Sequence, residues 1–216
     1  MPIFLDPNEA QVIEARVKAL ETELGIEVVT LVVGKADVYP ETVWKAFALG
    51  AALAGLAVTI GDLLRPDWIT GTAVLWSAVA ILGAGALAAL ASVYAPAFAR
   101  LFLRDSRATL EVSQYAKVQF LERELFATPA RTAVLLVVSL LERRVVILAD
   151  KGLRSRIPAA EWDSAIVRMT PSLRAGQLGA AMLAGLDGIR LVLVGKGIVR
   201  GATNAFTDAP IEDANP

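Results

Sequence analysis

Asp150 is the residue whose type and position best suit it for chemistry. It follows an apolar run, Arg144–Ala149, and precedes Lys151, Gly152, Arg154 and Arg156. If the run is a strand, Asp150 lies just past its end, where α/β folds gather their sites. A carboxylate there can ligate a metal through oxygen or anchor a polar ligand; it can equally cap the following turn. Lys151, Arg154 and Arg156 offer positive charge to an anionic ligand or to anionic lipid head groups; otherwise they form an ordinary charged loop. Ser139 carries a hydroxyl at the end of a second apolar run, but no base is evident to make it a nucleophile. Glu142 and Arg143 sit between the two runs and read as a turn, salt-linked or solvent-exposed. Glu161 and Asp163 could join Asp150 only through geometry that the sequence does not give.

The composition removes most other chemistry. There is no histidine and no cysteine. That excludes imidazole bases, Ser-His-Asp and Cys-His triads, His- or Cys-ligated zinc and disulfides. No P-loop or Gly-x-Gly-x-x-Gly turn occurs. A formal net charge of −1 argues against nucleic acid as a partner. No residue is assigned a catalytic role.

The elements around these residues divide into two kinds. Apolar residues make up 56% of the chain, above the roughly 45–50% of soluble domains, and the excess is concentrated between Ala46 and Phe98. Residues 43–99 read as a transmembrane hairpin with helices near Val43–Leu64 and Trp68–Ala99, each able to cross roughly 30 Å of hydrocarbon. Lys45 can snorkel, Trp44, Trp68 and Tyr94 suit interfaces, and Pro96 should kink or end the second helix. Small residues four apart (Ala51 and Gly55, Ala57 and Gly61, Ala80 and Ala84, Gly85 and Ala89) permit close helix packing. Lys35, Lys45, Arg100, Arg104 and Arg107 flank the outer ends, so the positive-inside rule places both termini in the cytoplasm. The first residues, Met1 to Asp6, lack the basic and apolar regions of a signal peptide.

Residues 1–42 hold a helix opened by Asp6, Pro7 and Glu9, with an apolar stripe at Ile13, Val17, Leu20 and Leu24, and then a strand at Ile26–Val33. Residues 100–200 hold an amphipathic helix at Arg107–Phe126 and an antiparallel pair at Thr132–Leu140 and Arg144–Ala149. Helices follow at Ala159–Met169 and Pro171–Leu186, the second running on towards Val194. The continuous apolar strands predict a sheet covered by helices on both faces. Gly25, Gly152 and Gly176 are expected to supply positive φ, and Trp162 to anchor a helix on the sheet. The tail, 201–216, is polar and reads as disordered.

The run RTAVLLVVSLLERRVVILADKG at Arg131–Gly152 resembles the strand pair of TPM domains, closest to the family's bacterial integral-membrane branch. The motif residues are Ser139, Glu142, Arg143, Asp150 and Gly152. Ile157, Pro158, Trp162, Pro171, Leu173, Arg174 and Gly176 downstream are similar, as is the pattern of Asp6–Val33. The resemblance implies a three-layer α/β/α domain with a small mixed sheet, into which the hairpin is inserted. Plant thylakoid members of the family are linked to photosystem repair and acid phosphatase activity, and some bacterial members bind calcium. This chain departs from the metal-binding and phosphatase members in having Gln177 where many have an acidic residue and Arg154 where many have glutamate. The expectation is a membrane-anchored, non-catalytic binding module in the bacterial inner membrane, its soluble domain cytoplasmic. Its partners would be the bilayer and a membrane or cytoplasmic protein, or a small ligand. No cofactor is expected, calcium at Asp150 being the one the resemblance would allow. The alternative is a metal-assisted, acid-phosphatase-type hydrolase.

Overall fold

The computed structural model describes residues 4–64, 72–198 and 210–213, the last three of these as backbone only. The chain forms two compact units. Val38–Ala108 makes one, and the segments before and after it make the other.

The second unit is mixed α/β. Helix α1, Pro7–Leu24, begins as its sequence dictates: Asp6 caps Asn8 N–H, Glu9 reaches back to Asp6 N–H, and Pro7 occupies the first turn. Gly25 ends it in the left-handed conformation at φ 64°. Strand β1, Glu27–Val33, runs parallel to β2, Ala133–Ser139, from the Glu27–Ala133 pair to the Val33–Ser139 pair. Strand β3, Arg144–Ala149, runs antiparallel to β2. Residues Ile211–Asp213 form a short β4 parallel to β1, so the sheet order is β3-β2-β1-β4. These three residues correct the expectation of a disordered tail; 199–209 and 214–216 lie outside the described residues.

Both faces of the sheet are covered. On one, Val28, Val32, Val134 and Leu136 pack against α1, α7 (Ala159–Arg174) and α8 (Leu178–Gly195). On the other, Leu31, Leu135 and Val137 meet Ala116 and Phe120 of α5, Asp105–Glu122, together with Leu125. Strand β2 is buried throughout, as its apolar run requires. Strand β3 is only half-buried, because it forms an edge. Trp162, on the buried face of α7, packs in the core. Outside the core, Arg190 of α8 pairs with Glu23 of α1. That hydrogen bond holds the Glu23 carboxyl below the usual carboxylate range and raises Arg190. The pair is therefore lost in acid, as the pH falls through the lowered pKa of Glu23.

Pro171 does not begin a helix, as the sequence reading had it. It lies inside α7, which continues to Arg174 and ends at Gly176, φ 73°. The proline costs one backbone hydrogen bond, and the buried face of Trp162, Ala165 and Met169 holds the helix together through it.

The Val38–Ala108 unit is built on α2, Pro40–Leu64, and α3, Ala73–Tyr94, which pack side by side in opposite directions: Phe47 meets Gly85, Gly50 meets Ala84 and Gly55 approaches Ile81. A Cβ on Gly50 would lie 2.6 Å from the Ala84 carbonyl oxygen. Gly50, absent from the predicted small-residue pairs, thus makes the tightest approach, while Gly61 faces open space. Pro96 separates α3 from the short α4, Pro96–Ala99, as expected. Lys45 donates to the Phe102 carbonyl at 3.1 Å, and Arg107 pairs with Glu41 at 2.6 Å. Of the turn expected at Asp62–Asp67, the first three residues are helical in α2; the rest, and the expected start of the second helix at Trp68, lie outside the described residues.

Candidate functional site

The residues singled out in the sequence collect at two opposite ends of the sheet. Because β3 is antiparallel, its carboxyl end lies beside the amino ends of β1 and β2, and Asp150 N–H donates to the Ala133 carbonyl at 2.8 Å. Asp150 is therefore not at the end of the parallel strands where α/β sites usually gather. Gln177 and Arg154, the two departures from the family pattern, do not share a site: Gln177 follows Gly176 at one end, and Arg154 lies beyond β3 at the other.

At the Asp150 end, a carboxylate only 2% exposed is held by three donors. Arg131 Nε reaches Oδ2 at 2.8 Å, Arg131 Nη2 reaches Oδ1 at 3.2 Å, and Lys151 N–H reaches Oδ1 at 2.6 Å. Asp150 thus caps the four-residue helix α6, Lys151–Arg154. The forked guanidinium occupies the oxygens a cation would use. Arg131 also lies over the Phe126 ring, 5.7 Å from its centroid. Among the described residues no three acidic side chains converge on a point that could hold a metal ion; Glu161 is paired instead with Lys196 at 2.5 Å. Lys151, Arg154 and Arg156 are exposed, while Leu153 between them inserts into the core.

Gly152 serves this end in a way the sequence reading missed. Its φ is not positive, unlike that of Gly25 and Gly176. Its N–H donates to the Arg131 carbonyl at 3.0 Å, and a Cβ would lie 2.6 Å from that oxygen and 2.7 Å from the Ala130 oxygen. The residue is glycine because two backbone carbonyls press against it. Gly152→Ala is expected to destabilise the domain by about 1–3 kcal/mol through overpacking against backbone that cannot rotate away, as a lowered midpoint in denaturant will measure. Gly176→Ala meets no neighbour and should cost only the left-handed strain, about 1–2 kcal/mol.

The other end brings Ser139, Glu142, Arg143 and Gly176 together. Glu142 is buried, contrary to its reading as an ordinary turn residue. One of its oxygens accepts the Ser139 hydroxyl, and the other accepts Ala36 N–H at 2.8 Å. It ties the loop after β1 to the β2–β3 turn. The spacing of Ser139 and Glu142, three apart around a tight turn, was a usable signal for half of this; Ala36 was not foreseeable. Beside them a cleft of about 660 Å³ opens between the β2–β3 turn and the last turns of α7. Arg143, Arg144 and Arg174 line it with Ser139, Thr170 and Gly176 and with the apolar Leu140, Ile166 and Leu173. Arg143 holds φ 52°, in the left-handed region that non-glycine residues rarely adopt. Among the described residues no carboxylate lines the cleft.

Residues 99–192 match the TPM domain family model. No curated protein matches the chain. In fold the chain is similar to the BA42 protein of the psychrophilic bacterium Bizionia argentinensis, whose structure was determined by NMR, with a TM-score of 0.59 and 11% identity over 98% of this chain and 97% of that one.

Proposed function

We propose, from the premise that residues 99–192 carry a TPM domain, that this chain is a membrane-anchored, non-catalytic binding module. The observation that carries the reading is the α2–α3 pair. At 1.5 Å per residue, the 25 residues of α2 run about 37 Å and the 22 of α3 about 33 Å, enough for a hydrocarbon layer of roughly 30 Å. Leu53, Leu56, Leu82 and Leu87 are each more than half exposed. Outward-facing leucines on two long, tightly paired helices suit lipid and are costly in water. Helix α8 is also long and apolar enough to span, but half of it is buried, and its apolar side is taken up by the sheet.

The flanking cations favour insertion with both ends of the chain in the cytoplasm of a bacterium. The binding role rests on the cleft beside Arg143, which suits a small ligand or an acidic segment of a protein partner. A reporter fused at Pro216 is expected to behave as cytoplasmic, and one placed at Arg65 as exported; the reverse pattern would place the domain outside. The purified protein is expected to show no turnover of a phosphomonoester with calcium or magnesium. Metal-dependent turnover that Asp150→Ala abolishes would replace the binding reading with the hydrolase.

A further inference from the structure

We infer that the cleft between the β2–β3 turn and the end of α7 is a binding site for a small organic dianion that also carries an apolar group. The inference rests on the binding role above and names its ligand class. Arg143, Arg144 and Arg174 line a cleft that no carboxylate among the described residues lines. Arg143 and Arg174 take no carboxylate partner among the described residues, and the carboxylate adjacent in sequence, Glu142, is already committed to Ser139 and Ala36. The exposed positive charges of Arg143 and Arg174 repel each other, and a ligand bearing two negative charges relieves that repulsion. Planar guanidinium forks match carboxylate and phosphate oxygens two at a time.

The size and lining of the cleft narrow the ligand further. About 660 Å³ is the size of a small-molecule site, far larger than a bare ion needs. Leu140, Ile166 and Leu173 line the cleft together with the exposed Arg143 and Arg174, so a ligand with both an apolar group and negative charge finds partners for each. The backbone adds a further sign. Arg143 stands at φ 52° where glycine would be unstrained, so a long cationic side chain is kept at the cleft against a conformational cost. A left-handed residue is also how a hairpin turn commonly rejoins its strand, and Tyr39, Glu124 and Arg131 share the conformation, so the strain supports a clamp only together with the cleft.

The test uses full-length protein in zwitterionic lipid discs, with phthalate and phenyl phosphate as dianions, benzoate as a monoanion and inorganic phosphate as a dianion without a ring. Calorimetric titration is expected to rank phthalate and phenyl phosphate above benzoate and inorganic phosphate, with affinity falling as salt rises. The double variant Arg143→Gly/Arg174→Gln is expected to lose affinity on the order of tenfold or more. Glycine fits φ 52° without strain, so a thermal melt of this variant should not fall, and lost binding cannot be put down to lost fold. Discs doped with phosphatidate separate two sources of the same chemistry: weakened phthalate binding points to a lipid head group, unchanged binding to a soluble ligand, and either result keeps the site. Binding equally tight in the double variant, or no binding of either aromatic dianion, overturns the inference. Hydrolysis of phenyl phosphate during the titration would instead remove the non-catalytic reading and leave the site in place.

Discussion

Membranes carrying this protein are expected to retain it through a carbonate wash and to release it only into detergent. The argument is one of magnitude. Burying a leucine, valine or isoleucine side chain contributes about 1.5–3 kcal/mol. Along α2 the side chains of Leu53, Leu56, Ile60 and Leu63 stand exposed, and along α3 those of Leu75, Val79, Leu82, Leu87 and Leu90. Each is about half to four-fifths exposed, so their combined transfer energy is about 8–16 kcal/mol, as large as the roughly 5–15 kcal/mol that holds an ordinary domain folded. Alkaline carbonate strips proteins held by charge, but it leaves the hydrocarbon in place. Recovery of the chain in the aqueous fraction would mean that this apolar surface meets protein, and the anchor would fall with it.

Arg131→Ala is expected to destabilise the domain more than Asp150→Ala does, although the two remove opposite halves of one ion pair. Asp150 is almost completely buried, while the Arg131 side chain is half exposed. Deleting the aspartate frees a guanidinium that can turn into water, and costs the helix cap, about 1 kcal/mol, plus the pair's own modest contribution. Deleting the arginine strands a buried carboxylate with Lys151 N–H as its one remaining donor among those seen around it. Stranding a buried charge costs about 3–5 kcal/mol; water entering where Arg131 stood brings the expected loss towards the lower end. Denaturation of the detergent-solubilised variants, read at the α/β unit, measures the order. Equal losses, or a larger loss for Asp150→Ala, would show that the carboxylate does something besides neutralising Arg131.

The parts of the molecule that were legible in sequence are those governed by local rules. Asp6, Pro7, Glu9 and Gly25 bound α1 because capping chemistry acts within a few residues. The Arg144–Ala149 strand is where its apolar run placed it. Pro171 lies inside a helix and not at the start of one because the packing of the buried face of α7 outweighs the hydrogen bond the proline forgoes. Asp150 lies at the end of the sheet opposite to the expected one because strand direction is a property of the pairing: the residue pattern gives the antiparallel β2–β3 pair but not the parallel β1–β2 pair that defines the other end. Glu142 and Arg131 owe their roles to Ala36 and Asp150, one of them 106 residues away. Arg174 reaches the cleft only because α7 runs on past Pro171 to the β2–β3 turn.

The parallel β1–β2 pair sets a schedule on the ribosome. Glu27 pairs with Ala133 and Val33 with Ser139, so β1 is synthesised long before its neighbour exists. At about 5–20 residues per second, the wait is roughly 5–20 s. Throughout that interval a seven-residue strand, buried on both faces in the finished domain, has no sheet to join. The α2–α3 segment emerges during the same interval, and if it is the membrane anchor proposed above, handing it to the insertion machinery draws the ribosome to the membrane. The unpaired β1 then waits tethered beside the bilayer, where its apolar stretch has fewer soluble chains to aggregate with. A variant that delays insertion should therefore show its defect first as aggregation of the α/β domain, before any loss of the anchor itself.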